Sequence, residues 1–139
     1  MSESVLETLA ASICMNVRTF RKSGVPVDTP LWTVRIGDRL ACYTDDRTYK
    51  FRRMKNNPNV EIAACDVWGR SSTPWYPGRV RIVEAPEERQ RVFAALKAKY
   101  GIHYRMSYLG SIPTRRIPHR VVLEFEITPT PLGTSYVEG

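Results

Sequence analysis

At 139 residues, with 42% hydrophobic and 25% charged composition, the chain has the make-up of a single globular domain able to bury a core. No apolar run reaches the roughly 20 residues of a membrane helix. Cys14, Cys42 and Cys65 are odd in number and lack a CxxC pair, which disfavours both a disulfide framework and a metal site. The net charge of +7 calls for an acidic partner: nucleic acid, an acidic membrane surface or an anionic small molecule.

The opening MSESVLETLA carries acids where a signal peptide would carry bases, so a reducing, cytoplasmic home is expected. Ser2 or Ser4 caps a first helix whose Val5, Leu6, Leu9 and Ala10 form an apolar stripe. Ile13 to Phe20 reads as a strand, and Lys22-Ser23-Gly24 as a hairpin turn. Val25 to Ile36 reads as one long second strand. Pro26 and Pro30 cannot donate ladder hydrogen bonds, so this strand belongs at an edge or a bulge. A turn at Gly37-Asp38 leads to a third strand, Arg39 to Thr44.

Asp45 and Asp46 suit the first turn of a short helix, and Arg47, Lys50, Arg52, Arg53 and Lys55 follow them. Pro58 stops it. Phe51 and Met54 share an inward face, while Lys50, Arg53 and Asn57 recur on a neighbouring one. Such a basic stripe fits a phosphate-bearing ligand, and it fits a solvated helix face equally well. Asn59 to Val67 and Arg79 to Glu84 supply two more strands, with the Ser- and Pro-rich loop 71–78 between them. Pro86 opens a helix with acids first and Lys97 and Lys99 last, closed by Gly101. The segment 102–116 reads ambiguously, as a short helix followed by a basic turn. Val121 to Ile127 alternates and closes the sheet. About six strands and two or three helices predict a mainly β fold: a small antiparallel barrel, mostly meander, with helices over its ends. The proline-bearing edge predicts a homodimer.

No hydrolase, metalloprotease or P-loop motif is present, and His103 and His119 stand alone. No RNP, KH or zinc-finger pattern supports nucleic acid, which ranks behind a small molecule. Trp32, Tyr43, Trp68, Trp75 and Tyr76 fall near the prolines and the basic helix. Any one of them reads as core; several together would line a flat heteroaromatic cofactor whose phosphate sits on Lys50 and Arg53. With no evident side-chain catalyst, that cofactor must carry the reactive atom.

The order of motifs resembles the split-β-barrel flavin and deazaflavin oxidoreductases, the superfamily of pyridoxamine 5′-phosphate oxidase, and within it the class that uses coenzyme F420. The resemblance rests on TFRKSGVPVDTPLWTV (19–34), K-x-x-R at Lys50 and Arg53, NNPNVEIAACDVWGR (56–70), PGRVRIV (77–83), AKYG (98–101) and EITP (126–129). It implies that Lys50 and Arg53, helped by Thr48 and Lys55, hold the cofactor phosphate. Thr29, Pro30, Leu31 and Trp32, with Tyr43 and Thr44, would border the ring. Thr73 and Trp75 would come from the second subunit of a homodimer. The implied activity is hydride transfer from reduced F420 to an unsaturated or quinone-like small molecule. FMN in the same fold is the alternative cofactor, and a non-catalytic cofactor carrier the alternative role. The polyanionic tail of F420 would be drawn to Arg35, Arg39, Arg79 and Arg81. The cysteine spacing and the lack of a long apolar run lead to the expectation of no metal and no membrane contact.

Overall fold

The computed structural model describes residues 2–103 and 119–132. Helix α1 (Ser2–Ala11) leads into β1 (Cys14–Phe20), β2 (Pro26–Leu31), β3 (Val34–Ile36) and β4 (Arg39–Asp45). Next come α2 (Tyr49–Asn56), β5 (Asn59–Cys65), β6 (Tyr76–Val83), α3 (Pro86–Tyr100) and β7 (Arg120–Ile127). The ambiguous segment 102–116 lies almost wholly outside the described residues. Among these, no helix is long and apolar enough to cross a membrane.

All strand pairs are antiparallel, in the order β2-β1-β5-β6-β7-β4-β3. The expected second strand is two strands, β2 and β3, lying at opposite edges of one sheet. Only Trp32 and Thr33 separate them. Three peptide steps span at most about 11 Å, so the sheet must curl until its edges meet. That closure makes the barrel and breaks the strand. Pro26 and Pro30 occupy the edge strand β2, where a missing N–H costs no ladder bond on the open side.

The meander is only partial. β1–β2, β3–β4 and β5–β6 are hairpins and β7 lies beside β6, but β5 lies beside β1 and β7 beside β4. Both sides of β4 are taken, so the chain leaves it through α2 and crosses to β5.

Alternation sets two cores. Met15, Val17, Leu40, Cys42, Ile62, Leu123 and Phe125 fill the barrel, sealed by Leu6 and Leu9 of α1 and by Phe51 and Met54 of α2. Removing such a side chain from water contributes about 1.5–3 kcal/mol. On the outside, Val34, Ala41, Val83 and Val122 pack under Val92 and Leu96 of α3. All three cysteines are free and buried.

The seam between β2 and β3 is tied by side chains. Thr33 is fully buried and belongs to neither ladder. Its N–H donates to the Tyr100 hydroxyl (3.0 Å), which itself donates to the Ile13 carbonyl (2.7 Å). Lys99 Nζ donates to the carbonyls of Ala10, Ser12 and Thr33 at 2.7, 2.8 and 2.7 Å. The last turn of α3 thus supplies the partners that a strand neighbour would otherwise give. Burial pushes the Tyr100 phenol up to about 12 and the Lys99 ammonium down to about 8.

Candidate functional site

The seam also sets the wall of a cleft. Trp32 stacks on Tyr100, centroids 4.4 Å apart and rings 9° from parallel, and this fixes the indole beside Pro30 and Leu31. Across from them lie the end of β4 and the start of α2. The cleft measures about 470 Å³ and is lined by Pro30, Leu31 and Trp32, then Tyr43, Thr44 and Asp45, then Arg47, Thr48, Lys50 and Arg120.

Helix α2 begins later than its acids suggested. Asp45 ends β4 and Asp46 lies in the turn that follows, and no acid occupies the helix's first turn. Thr48 is the N-cap: its Oγ1 accepts the Phe51 N–H (3.4 Å) and donates to the Asp45 carbonyl (2.7 Å). A hydroxyl accepts at an N-cap without the desolvation that a carboxylate there would suffer beside the barrel. Its proton already spent, Thr48 serves the cleft by starting the helix. The Asp45 carboxylate instead accepts the Arg47 N–H at 2.8 Å and the guanidinium at 2.6 and 3.0 Å. The Arg47 hydrogen bonds hold its carboxyl down to about 2. His119 sits on the other aspartate, Nδ1 to Asp46 Oδ1 at 3.0 Å.

Three cations therefore line the cleft, and its single carboxylate is already matched to one of them. Arg120 faces Asp45 across the β4–β7 ladder. Its guanidinium lies 4.2 Å from the Phe93 ring centroid and 5.7 Å from that of Tyr43. Neither Arg120 nor the role of Arg47 was evident from sequence. Arg120 precedes an alternating strand and resembles any flanking base; only the pairing of β7 with β4 brings it to the site.

The expected site residues divide. Pro30, Leu31, Trp32, Tyr43, Thr44, Thr48 and Lys50 come together in the cleft. Thr29 pairs with Val17 on β1 and is not part of the lining. Arg53 faces away: its Nε donates to Thr19 Oγ1 at 2.7 Å, and it lines a separate cavity on the other side of α2. Lys55 is exposed, Nζ 5.7 Å from the Phe51 ring, and lines neither. Thr73 accepts the Ala64 N–H (3.0 Å) and donates to the Pro74 carbonyl (2.9 Å). Trp75 lies under the Arg18 guanidinium at 3.9 Å, and neither it nor Thr73 lines the cleft or the cavity across α2. Three of the four arginines expected to attract an anionic tail hold carboxylates instead. Arg35 binds Glu3 (2.7 Å), Arg39 binds Glu126 (3.2 Å) and Arg81 binds Glu124 (3.2 Å). Arg79 donates to Asn59 Oδ1 at 3.4 Å.

A barrel with both edges meeting at a two-residue link, and a cleft lined by cations beside that link, defines a split-barrel protein. Residues 1–130 match the family model of pyridoxamine 5′-phosphate oxidase, and the chain belongs to that family. No curated protein matches it. Solved structures share the fold. A conserved hypothetical protein from Mycobacterium tuberculosis is 19% identical with TM-score 0.64, over 89% of this chain and 78% of that one. The heme storage protein HutZ from Vibrio cholerae is 11% identical with TM-score 0.67, over 91% and 87%. A protein titled F420 reductase is 20% identical with TM-score 0.58, over 88% and 92%.

Proposed function

We propose that the chain is an oxidoreductase using coenzyme F420, and that the cofactor occupies the cleft between the Pro30–Trp32 edge and the start of α2. The observation that carries this reading is the donor set. Arg47, Lys50 and Arg120 surround a space bounded by Trp32 and Tyr43, so cations and flat apolar walls share one cavity. A planar ring with a phosphate arm needs both. The volume, about 470 Å³, is within the usual range for a small-molecule site.

When bound, reduced F420 supplies a hydride, and an unsaturated or quinone-like acceptor takes it. The chain's own residues do the placing. Lys50, at the start of α2, holds the phosphate where the positive end of the helix dipole adds to its charge. Asp45 keeps the Arg47 fork against the wall. Trp32, backed by Tyr100, gives the ring a fixed plane and excludes water from one side.

A homodimer completes the proposal. Ile13, Val67 and Trp68 are 58%, 56% and 76% exposed. The Cys14–Cys65 pairing sets Ile13 beside the turn that bears the other two. A second copy covering this apolar patch would bring its Thr73 and Trp75 to the cleft.

The test is a titration of the protein with oxidised and reduced F420 and with FMN, beside its mass in solution. Saturable F420 binding that Lys50→Ala weakens, by a dimer, supports the reading. Preference for FMN moves the protein to the flavin branch. A strict monomer that binds neither removes the proposal.

A further inference from the structure

On the far side of α2 lies a second cavity of about 670 Å³, sharing no lining residue with the cleft. Four cations face it: Arg21 and Lys22 from the β1–β2 turn, Arg52 and Arg53 from the helix. Its other lining residues are Phe20, Tyr49, Asn56 and Asn57, so no carboxylate lines it. Among the described residues none of the four cations makes an ion pair. By contrast Arg18, Arg35, Arg39, Arg47, Arg70 and Arg81 all do.

Like charges gathered in a hollow repel one another, and the repulsion strengthens as water is excluded. Burial and the neighbouring Arg21 charge both push the Arg53 guanidinium below its ordinary value. Arg53 is also held in place: its Nε is taken by Thr19 Oγ1, and Thr19 is almost fully buried. That bond leaves the Nη pair for a bidentate contact, the geometry with which guanidinium meets phosphate. Four positive charges exceed what one phosphate dianion neutralises; two or three linked phosphates match them.

The cavity's edge adds a second kind of contact. Tyr49 is 75% exposed, the Arg52 guanidinium lies 5.6 Å from its ring, and Phe20 also lines the space. An aromatic platform beside a cation set can take a flat ring attached to phosphates. We propose that this cavity is a second anion site, taking a small organic ligand that carries two or more linked phosphates and a planar ring. Its concave form and single group of cations suit a compact ligand better than an extended nucleic-acid strand, which would need a basic track along the surface.

The test uses the full chain, titrated calorimetrically at physiological ionic strength with ADP, pyrophosphate, orthophosphate and a single-stranded oligonucleotide. ADP is expected to bind most tightly and orthophosphate most weakly. Reversing charge at the exposed turn (Arg21→Glu with Lys22→Glu) should weaken ADP at least about tenfold, as expected for losing charge-assisted contacts. Tyr49→Ala should weaken ADP and leave pyrophosphate unchanged, while Lys50→Ala should leave both as they were. Three outcomes overturn the proposal: no saturable ADP binding, ADP binding lost on Lys50→Ala but kept on charge reversal, or an oligonucleotide that outcompetes ADP. The last would assign the surface to nucleic acid.

Discussion

Lys50 and Arg53 stand three residues apart on α2 and open onto different cavities, Lys50 towards Pro30 and Arg120, Arg53 towards Arg21. Their substitutions should therefore separate. Lys50→Ala is expected to weaken F420 binding by about 1–3 kcal/mol, the range for a lost charged hydrogen bond. Arg53→Ala should barely change that affinity. It should instead lower stability by about 1 kcal/mol, because Thr19 Oγ1 loses its donor. Binding titrations and urea melts on both variants check this. Equal losses of affinity would mean that the two side chains share a ligand.

What made the fold legible also explains why spacing alone grouped Lys50 with Arg53. Strict alternation in Val121–Ile127 and the acid-first, base-last order of α3 follow from local rules, and both elements lie where those rules put them. Spacing at three and four also set Phe51 and Met54 on the inward face correctly. It could not tell which side of the helix each base would take, because neighbouring strands decide that. The break at Trp32–Thr33 was hidden for the same reason: it results from barrel closure, and nothing in the local pattern stops there. AKYG stood out as a motif, but its purpose as a tie across the seam appears only once α3 is packed on the sheet.

Acid should loosen the mouth of the cleft. Asp45 has a folded value of about 2 against an ordinary 3.8, lowered first by its hydrogen bond to Arg47. A lowered carboxyl contributes stability above its unfolded value, and that contribution fades as pH falls from 3.8 towards 2. Its partner is half exposed, so solvent screening leaves Asp45 a contribution of about 1 kcal/mol. Urea midpoints measured across this window should fall more steeply in the parent protein than in Asp45→Asn. Parallel slopes would show that the pair adds nothing.

The cysteines should be chemically silent in the folded chain. Burial pushes the Cys42 thiol up to about 12 and the Cys65 thiol to about 11, and raises Cys14 as well. Since the thiolate is the reactive form, alkylation at mildly basic pH should run at least about 100-fold slower than in denaturant. Mass spectrometry after timed labelling reads this directly. Rapid modification of Cys42 without denaturant would mean that the barrel core opens.

Tyr100→Phe isolates the seam. The substitution keeps the ring, and with it the stack on Trp32, but removes the acceptor of the Thr33 N–H and the donor to the Ile13 carbonyl. Thr33 is fully buried, so its N–H would be left without water as a substitute. Such an orphan costs about 1–3 kcal/mol, and a urea melt should show a loss in that range. Tryptophan fluorescence of the folded state should stay unchanged if the stack alone positions the indole. A loss below about 0.5 kcal/mol, within the range of ordinary surface substitutions, would shift the burden of holding the two barrel edges together to Lys99 and its three carbonyls.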